Sequence, residues 1–130
     1  MNKFEQLGLS ESLQRAIIDL GFENPTEVQE KAIPLLLEQE TDLVALAQTG
    51  TGKTAAFGFP VIQKIDADNR NTQALILSPT RELCLQITNE LKNYSKYEKG
   101  INVVAVYGGA SITEQARDIK RGAQIIVATP

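Results

Sequence analysis

The stretch from Leu43 to Thr54, LVALAQTGTGKT, constrains this chain more than any other. Leu43 to Ala47 is a short apolar run that suits a buried strand. Gln48-Thr49-Gly50-Thr51-Gly52-Lys53-Thr54 follows, and the helix formers Ala55 and Ala56 come next. Strand, glycine-containing loop and helix in that order make a context that cradles phosphate. Glycines let the backbone curl until several N–H groups face one anion, and the helix N-terminus adds partial positive charge. Lys53 can reach β- and γ-phosphates, and the Thr54 hydroxyl can ligate Mg²⁺. The general pattern G-x-x-x-x-G-K-[ST] has Ala47 in place of its first glycine, with Gly52-Lys53-Thr54 intact.

The other segments read in the same alternating sense. Ser10 caps a helix from about Glu11 to Leu20, stopped by Gly21, and Phe22 follows as a partly buried aromatic. Asn24-Pro25 breaks the chain. Thr26-Glu27-Val28-Gln29 then fits a capping box that opens a second helix, with Pro34 kinking or restarting it. A helix from Lys53 to about Ile65 should bend at Pro60. Strands are predicted at Ala74–Ser78, Asn102–Tyr107 and Gln124–Ala128, with helices at Arg81 to about Tyr97 and from Ser111 to about Arg121. Repeated β-α-β order implies right-handed crossovers and a parallel sheet with helices on both faces. The loops Gln48–Lys53, Ser78–Arg81, Gly108–Ala110 and Thr129–Pro130 leave the carboxyl ends of the four expected strands, where open α/β sheets bind ligands. The expected organisation is an N-terminal helical segment over 1–41 and a partial α/β domain over 42–130.

Composition narrows the function classes. With 130 residues, 42% hydrophobic and 22% charged, the chain makes one ordinary globular domain or part of one. A formal net charge of −3 gives no global basic signature, so any nucleic-acid surface must be local. The single cysteine, Cys84, can form neither an internal disulfide nor a cysteine-cluster metal site. It reads as a small buried hydrophobe and fits a reducing compartment. No apolar run suggests a leader or a membrane span; the expected setting is cytoplasmic, with no membrane partner.

Five segments in order resemble the DEAD-box ATP-dependent RNA helicases. Gly21 to Gln29 (GFENPTEVQ) is similar to the family's Q motif, with Phe4 as its upstream aromatic. Ala47 to Thr54 (AQTGTGKT) resembles motif I, whose family form carries alanine first. Pro79-Thr80-Arg81-Glu82-Leu83 resembles motif Ia, Gly108-Gly109 the GG element, and Thr129-Pro130 the start of the TPGR motif. The resemblance implies a RecA-like P-loop fold preceded by a helical Q-motif segment. It implies ATP or ADP with Mg²⁺ as cofactors, RNA as partner, and unwinding or remodelling of RNA duplexes driven by ATP. Phe4, Phe22, Thr26, Gln29, Ala47, Gln48, Thr49, Gly50, Thr51, Gly52, Lys53 and Thr54 are then the adenine-nucleotide residues, Lys53 and Thr54 the catalytic ones, and Thr54 the Mg²⁺ ligand. Pro79, Thr80, Arg81, Gly108, Gly109, Thr129 and Pro130 are the RNA residues.

Several of these residues carry a plainer reading too. Gln29 can serve only the capping box, but its amide also matches the N6/N7 edge of adenine, a pairing that discriminates by roughly 1–3 kcal/mol. Phe4 can stack on the base or simply anchor the core. Arg81 stands at a helix start, a poor place for a cation, and either pairs with a nearby acid such as Glu82 or contacts the RNA backbone. Contacts to phosphate and 2′-OH fix position without reading bases, so sequence-tolerant RNA binding is expected.

No strand after the phosphate loop ends in a carboxylate, and the family's Asp-Glu-Ala-Asp motif lies beyond residue 130. The chain alone is therefore expected to bind adenine nucleotide at most and not to hydrolyse it. The alternatives are a non-catalytic adenine-nucleotide-binding module and another P-loop NTPase. The latter leaves the Gln29 segment, Pro79–Leu83 and Gly108-Gly109 unexplained.

Overall fold

The computed structural model describes residues 3–47 and 52–130, which fall into two compact units, one up to Lys64 and one from Ile65 to Pro130.

The first unit is helical. A 3-10 turn over Lys3–Leu7 precedes α1 (Glu11–Asp19), α2 (Glu27–Glu38) and α3 (Lys53–Lys64). Local chemistry sets the ends. Gly21, at φ +81°, closes α1: its N–H donates to Ile18 O and that of Phe22 to Ile17 O, which satisfies two otherwise orphaned carbonyls. Thr26 and Gln29 form both bonds of a capping box at the start of α2. Pro34 and Pro60 lie inside α2 and α3, and each helix continues through its proline in one piece. Each ring removes one backbone donor, a loss that packing of the helix's apolar face outweighs. The core here is Leu13, Ala16 and Ile17 of α1, Ala32 and Ile33 of α2, Ala55, Ala56, Phe59 and Ile62 of α3, and Phe4.

Leu43–Ala47 is not a strand. It carries no regular structure; Val44 is 88% and Leu46 95% exposed. The expectation from its composition therefore fails. The reason is that a strand is a property of a pair: an apolar run becomes one only when a neighbour supplies the ladder, and among the described residues none does.

The second unit holds a parallel sheet of β1 (Ala74–Leu77), β2 (Val103–Val106) and β3 (Ile125–Ala128) in the order β1-β3-β2, with α4 (Arg81–Tyr94) and α5 (Ile112–Arg121) in the crossovers. The central strand is the most buried: Ile125 and Val127 have no exposure, whereas Leu75 and Leu77 on β1 are 62% and 64% exposed. Cys84, Ile87, Thr88 and Leu91 form the buried face of α4, which packs on β2 and β3; α5 leans on β2 and buries none of its side chains. Ser95 rather than a later residue ends α4, its hydroxyl donating to Leu91 O at 2.8 Å.

One buried polar side chain ties the entry to the sheet together. Gln124 is fully buried at the start of β3. Its Nε2 donates to Gly100 O (2.7 Å) and Ala67 O (3.4 Å), and its Oε1 accepts from Asn102 N (2.9 Å). Its own carbonyl accepts from Gln73 N and Ala74 N. The amide thus satisfies backbone groups that lead into β1 and β2, an arrangement that stays favourable only while every buried partner is paired. Thr72 adds a bond from its hydroxyl to Ala123 O at 2.8 Å.

Candidate nucleotide and nucleic-acid sites

The residues expected to hold nucleotide and described by the structure lie in the first unit. Gln29, only 3% exposed, is at their centre. Its Oε1 accepts from Thr26 N at 2.9 Å, its own N–H donates to Thr26 Oγ1 at 3.4 Å, and its Nε2 donates to Gly52 O at 3.2 Å. The capping box and the glycine before Lys53 are thus joined through one side-chain amide. A glutamine amide has two N–H donors and two acceptor lone pairs. Among the described residues these bonds use one of each and leave one of each, a pair complementary to the N6/N7 edge of adenine.

Gly52 has φ +78°, a conformation that glycine adopts without penalty. The close approach of Gln29 demands glycine as well, since a Cβ there would run into Gln29 Nε2 and meet Gln29 Cδ at 3.1 Å. Lys53 and Thr54 form the first turn of α3. Lys53 is exposed and Thr54 half-exposed, and neither side chain has a hydrogen-bond or ion-pair partner among the described residues. The helix N-terminus, an ammonium and a hydroxyl therefore stand together, a set that fits phosphate and a phosphate-bound Mg²⁺. Gln48, Thr49, Gly50 and Thr51 lie outside the described residues. Ala47 is half-exposed.

Phe4 is placed differently from a base-stacking ring. It is 1% exposed and closes a cluster with Phe22 and Phe59, at centroid distances of 6.2 Å to each. Phe22 and Phe59 are 6.4 Å apart and nearly perpendicular. Edge-to-face geometry of this kind belongs to a packed aromatic core. Phe22 is half-buried, as its position after the Gly21 stop suggested.

The residues expected to meet RNA lie in the second unit, on the loops that leave the carboxyl ends of β1, β2 and β3. The ladder continues past the strands, with Ser78 N donating to Ala128 O at 2.9 Å and Thr129 N to Val106 O at 3.1 Å, so the three exits are held side by side. Pro79, Thr80 and Arg81 are exposed, as are Gly108, Gly109 and Pro130; Thr129 is half-exposed. Thr80 caps α4, its hydroxyl accepting from Leu83 N at 3.2 Å, and buried Ser78 donates to Thr80 O at 3.1 Å. Arg81 pairs with no acid among the described residues. Its guanidinium carbon instead sits over the Tyr107 ring, 4.9 Å from the centroid, and its Nη1 lies 3.4 Å from where a Cβ on Gly109 would be. Gly109 has φ +86°. Tyr107 and Ser78 enter this geometry without having been singled out from the sequence. A tyrosine just before paired glycines at a strand end was the available signal for the first; nothing local distinguished the second.

Among the described residues no helix is long and apolar enough to cross a membrane, and no group of three or more metal-ligating side chains is present.

The DEAD/DEAH box helicase family model matches residues 26–130. An ATP-dependent RNA helicase, CshA of Listeria monocytogenes, is 52% identical over all 130 residues of this chain, which span 25% of that protein. A crystal structure of a DEAD box protein from the hyperthermophile Methanococcus jannaschii superposes with a TM-score of 0.92 at 42% identity, covering 98% of this chain and 34% of that one. The ADP-bound crystal structure of the RNA helicase Prp28 from Chaetomium thermophilum gives 0.86 at 43% identity, covering 100% and 32%. The chain spans about a quarter of the length of the curated relatives it matches. With the parallel sheet, the capping-box glutamine on Gly52 and the three adjacent strand exits, these matches establish the RecA-like fold, and the chain belongs to the DEAD/DEAH box helicase family.

Proposed function

We propose that this chain supplies the adenine-reading and phosphate-binding part, together with one RNA-backbone face, of an ATP-dependent RNA helicase that remodels RNA duplexes. The observation that carries the reading is the amide of Gln29, bonded at once to its helix cap and to Gly52, with one donor and one acceptor to spare among the described residues. That spare pair matches N7 and N6 of adenine and mismatches N7 and O6 of guanine, where both groups accept. The phosphates then lie at the N-terminus of α3, with Lys53 neutralising charge. The Thr54 hydroxyl would be the ligand this chain offers a nucleotide-bound Mg²⁺, which would supply charge neutralisation at the phosphates. Phe22, half-exposed, is the ring of the cluster offered to a base; Phe4 is buried within that cluster.

Turnover is not assigned to these residues alone. The strands after the loop run into Ser78, Tyr107 and Thr129, so none presents a carboxylate to a second metal position. The RNA face uses Thr80, Arg81, Gly108, Gly109, Thr129 and Pro130 against phosphate and sugar, which makes binding tolerant of sequence. The setting is cytoplasmic, with no membrane partner.

The RNA half of this reading is tested with Arg81→Ala. Fluorescence anisotropy with labelled oligo(U) and oligo(A), repeated over a range of KCl, should show the same proportional loss for both. The log–log salt slope should fall by about 0.7, the value of one phosphate contact on a single strand. A loss confined to one of the two oligonucleotides, or no loss, contradicts it.

A further inference from the structure

We infer that Tyr107 is a positioning residue: its ring holds the Arg81 guanidinium where a nucleic-acid phosphate is to be met. The inference rests on the RNA reading above and adds a residue to it.

The two side chains start from non-adjacent strands. Arg81 follows β1 and Tyr107 follows β2, with β3 between them. Neighbouring strands are about 4.8 Å apart, so the ends of β1 and β2 are separated by roughly 10 Å. Arg81 nevertheless brings its guanidinium carbon to 4.9 Å from the Tyr107 centroid and against Gly109. The side chain therefore joins the loop after β1 to the loop after β2.

The contact leaves the chemistry of arginine intact. A guanidinium over a ring engages through its π face, and its N–H donors point outward in its own plane. Arg81 has no hydrogen bond or carboxylate partner among the described residues, so those donors are uncommitted. The ring also answers an electrostatic objection. Arg81 is the first residue of α4, at the positive end of the helix, and the negative face of the tyrosine offsets that repulsion. A long exposed side chain otherwise loses rotamer freedom when it binds, and one already held loses less.

A double-mutant cycle on the chain, read by anisotropy with labelled oligo(U) over a range of KCl, tests this. Tyr107→Ala should weaken binding about 3- to 10-fold, the range of a partly exposed cation–π contact. The salt slope should stay unchanged, because the charge on Arg81 is still present. Tyr107→Phe should keep affinity within about twofold, since the ring face and not the hydroxyl makes the contact. On an Arg81→Ala background, Tyr107→Ala should add nothing. Wild-type affinity in Tyr107→Ala overturns the inference, as do tighter binding and full additivity with Arg81→Ala. If Arg81→Ala itself leaves affinity and slope untouched, the RNA reading beneath it fails instead.

Discussion

Gly52→Ala is expected to abolish most nucleotide affinity while leaving the chain folded. Two separate costs meet at this residue. The backbone sits at φ +78°, where a non-glycine residue costs about 1–3 kcal/mol. The new methyl also takes the place of Gln29 Nε2, so the amide must release Gly52 O and turn away from its spare donor and acceptor positions. A small substitution therefore disturbs the proposed phosphate cradle and the proposed adenine reader together. A combined loss of about 2 kcal/mol or more corresponds to at least about 30-fold in Kd. Titration with a fluorescent ADP analogue measures it, and circular dichroism checks that helix content is retained. Near-wild-type affinity in this variant would show that Gly52 and Gln29 are not part of one site.

The largest effect on stability is expected from Phe59→Ala. Phe59 is fully buried and holds the other two rings, Phe4 and Phe22, at 6.2 and 6.4 Å. Truncating a core phenylalanine costs about 3–5 kcal/mol. That is a large share of the roughly 5–15 kcal/mol that holds a domain folded, so the urea midpoint should fall by a molar unit or more. Leu46→Ala is the matched contrast. Its side chain is 95% exposed, and the change should stay within about 0.5 kcal/mol. If Leu46→Ala proves as costly as Phe59→Ala, then Leu43–Ala47 is packed after all and its open placement is wrong.

That contrast marks the divide between what the sequence discloses and what it does not. Features set by neighbours along the chain were legible. The capping box of Thr26 and Gln29 and the glycine stop after α1 each need only residues within a few positions, and each occurs as read. The strands β1, β2 and β3 were legible because apolar runs between turn signals have few other uses. Leu43–Ala47 has the same composition and is no strand, since a ladder depends on a partner that composition does not specify. The end of α4 was overestimated because the Ser95 hydroxyl closes its last turn.

The candidate sites divide the same way. Gly52, Lys53 and Thr54 were singled out by residue type and spacing, and Gln29 and Arg81 with the help of the family resemblance. Their partners were not: the Gln29–Gly52 bond joins residues 23 apart, and the Arg81–Tyr107 contact depends on β3 lying between two other strands. Phe4 shows the reverse. Two uses were open to it from the sequence, stacking on a base and anchoring the core, and it lies buried beside two other phenylalanines, where apolar burial favours it.

The central claim is that Gln29 reads adenine from its place against the phosphate loop, and a paired titration tests it most directly. Wild type and Gln29→Ala are each titrated with fluorescent ADP and GDP analogues at constant Mg²⁺. Wild type should prefer ADP by about 5- to 150-fold, the equivalent of roughly 1–3 kcal/mol for one matched base edge. Gln29→Ala should lose that preference. Equal affinity of the wild-type chain for ADP and GDP, or an undiminished preference in Gln29→Ala, would contradict the account.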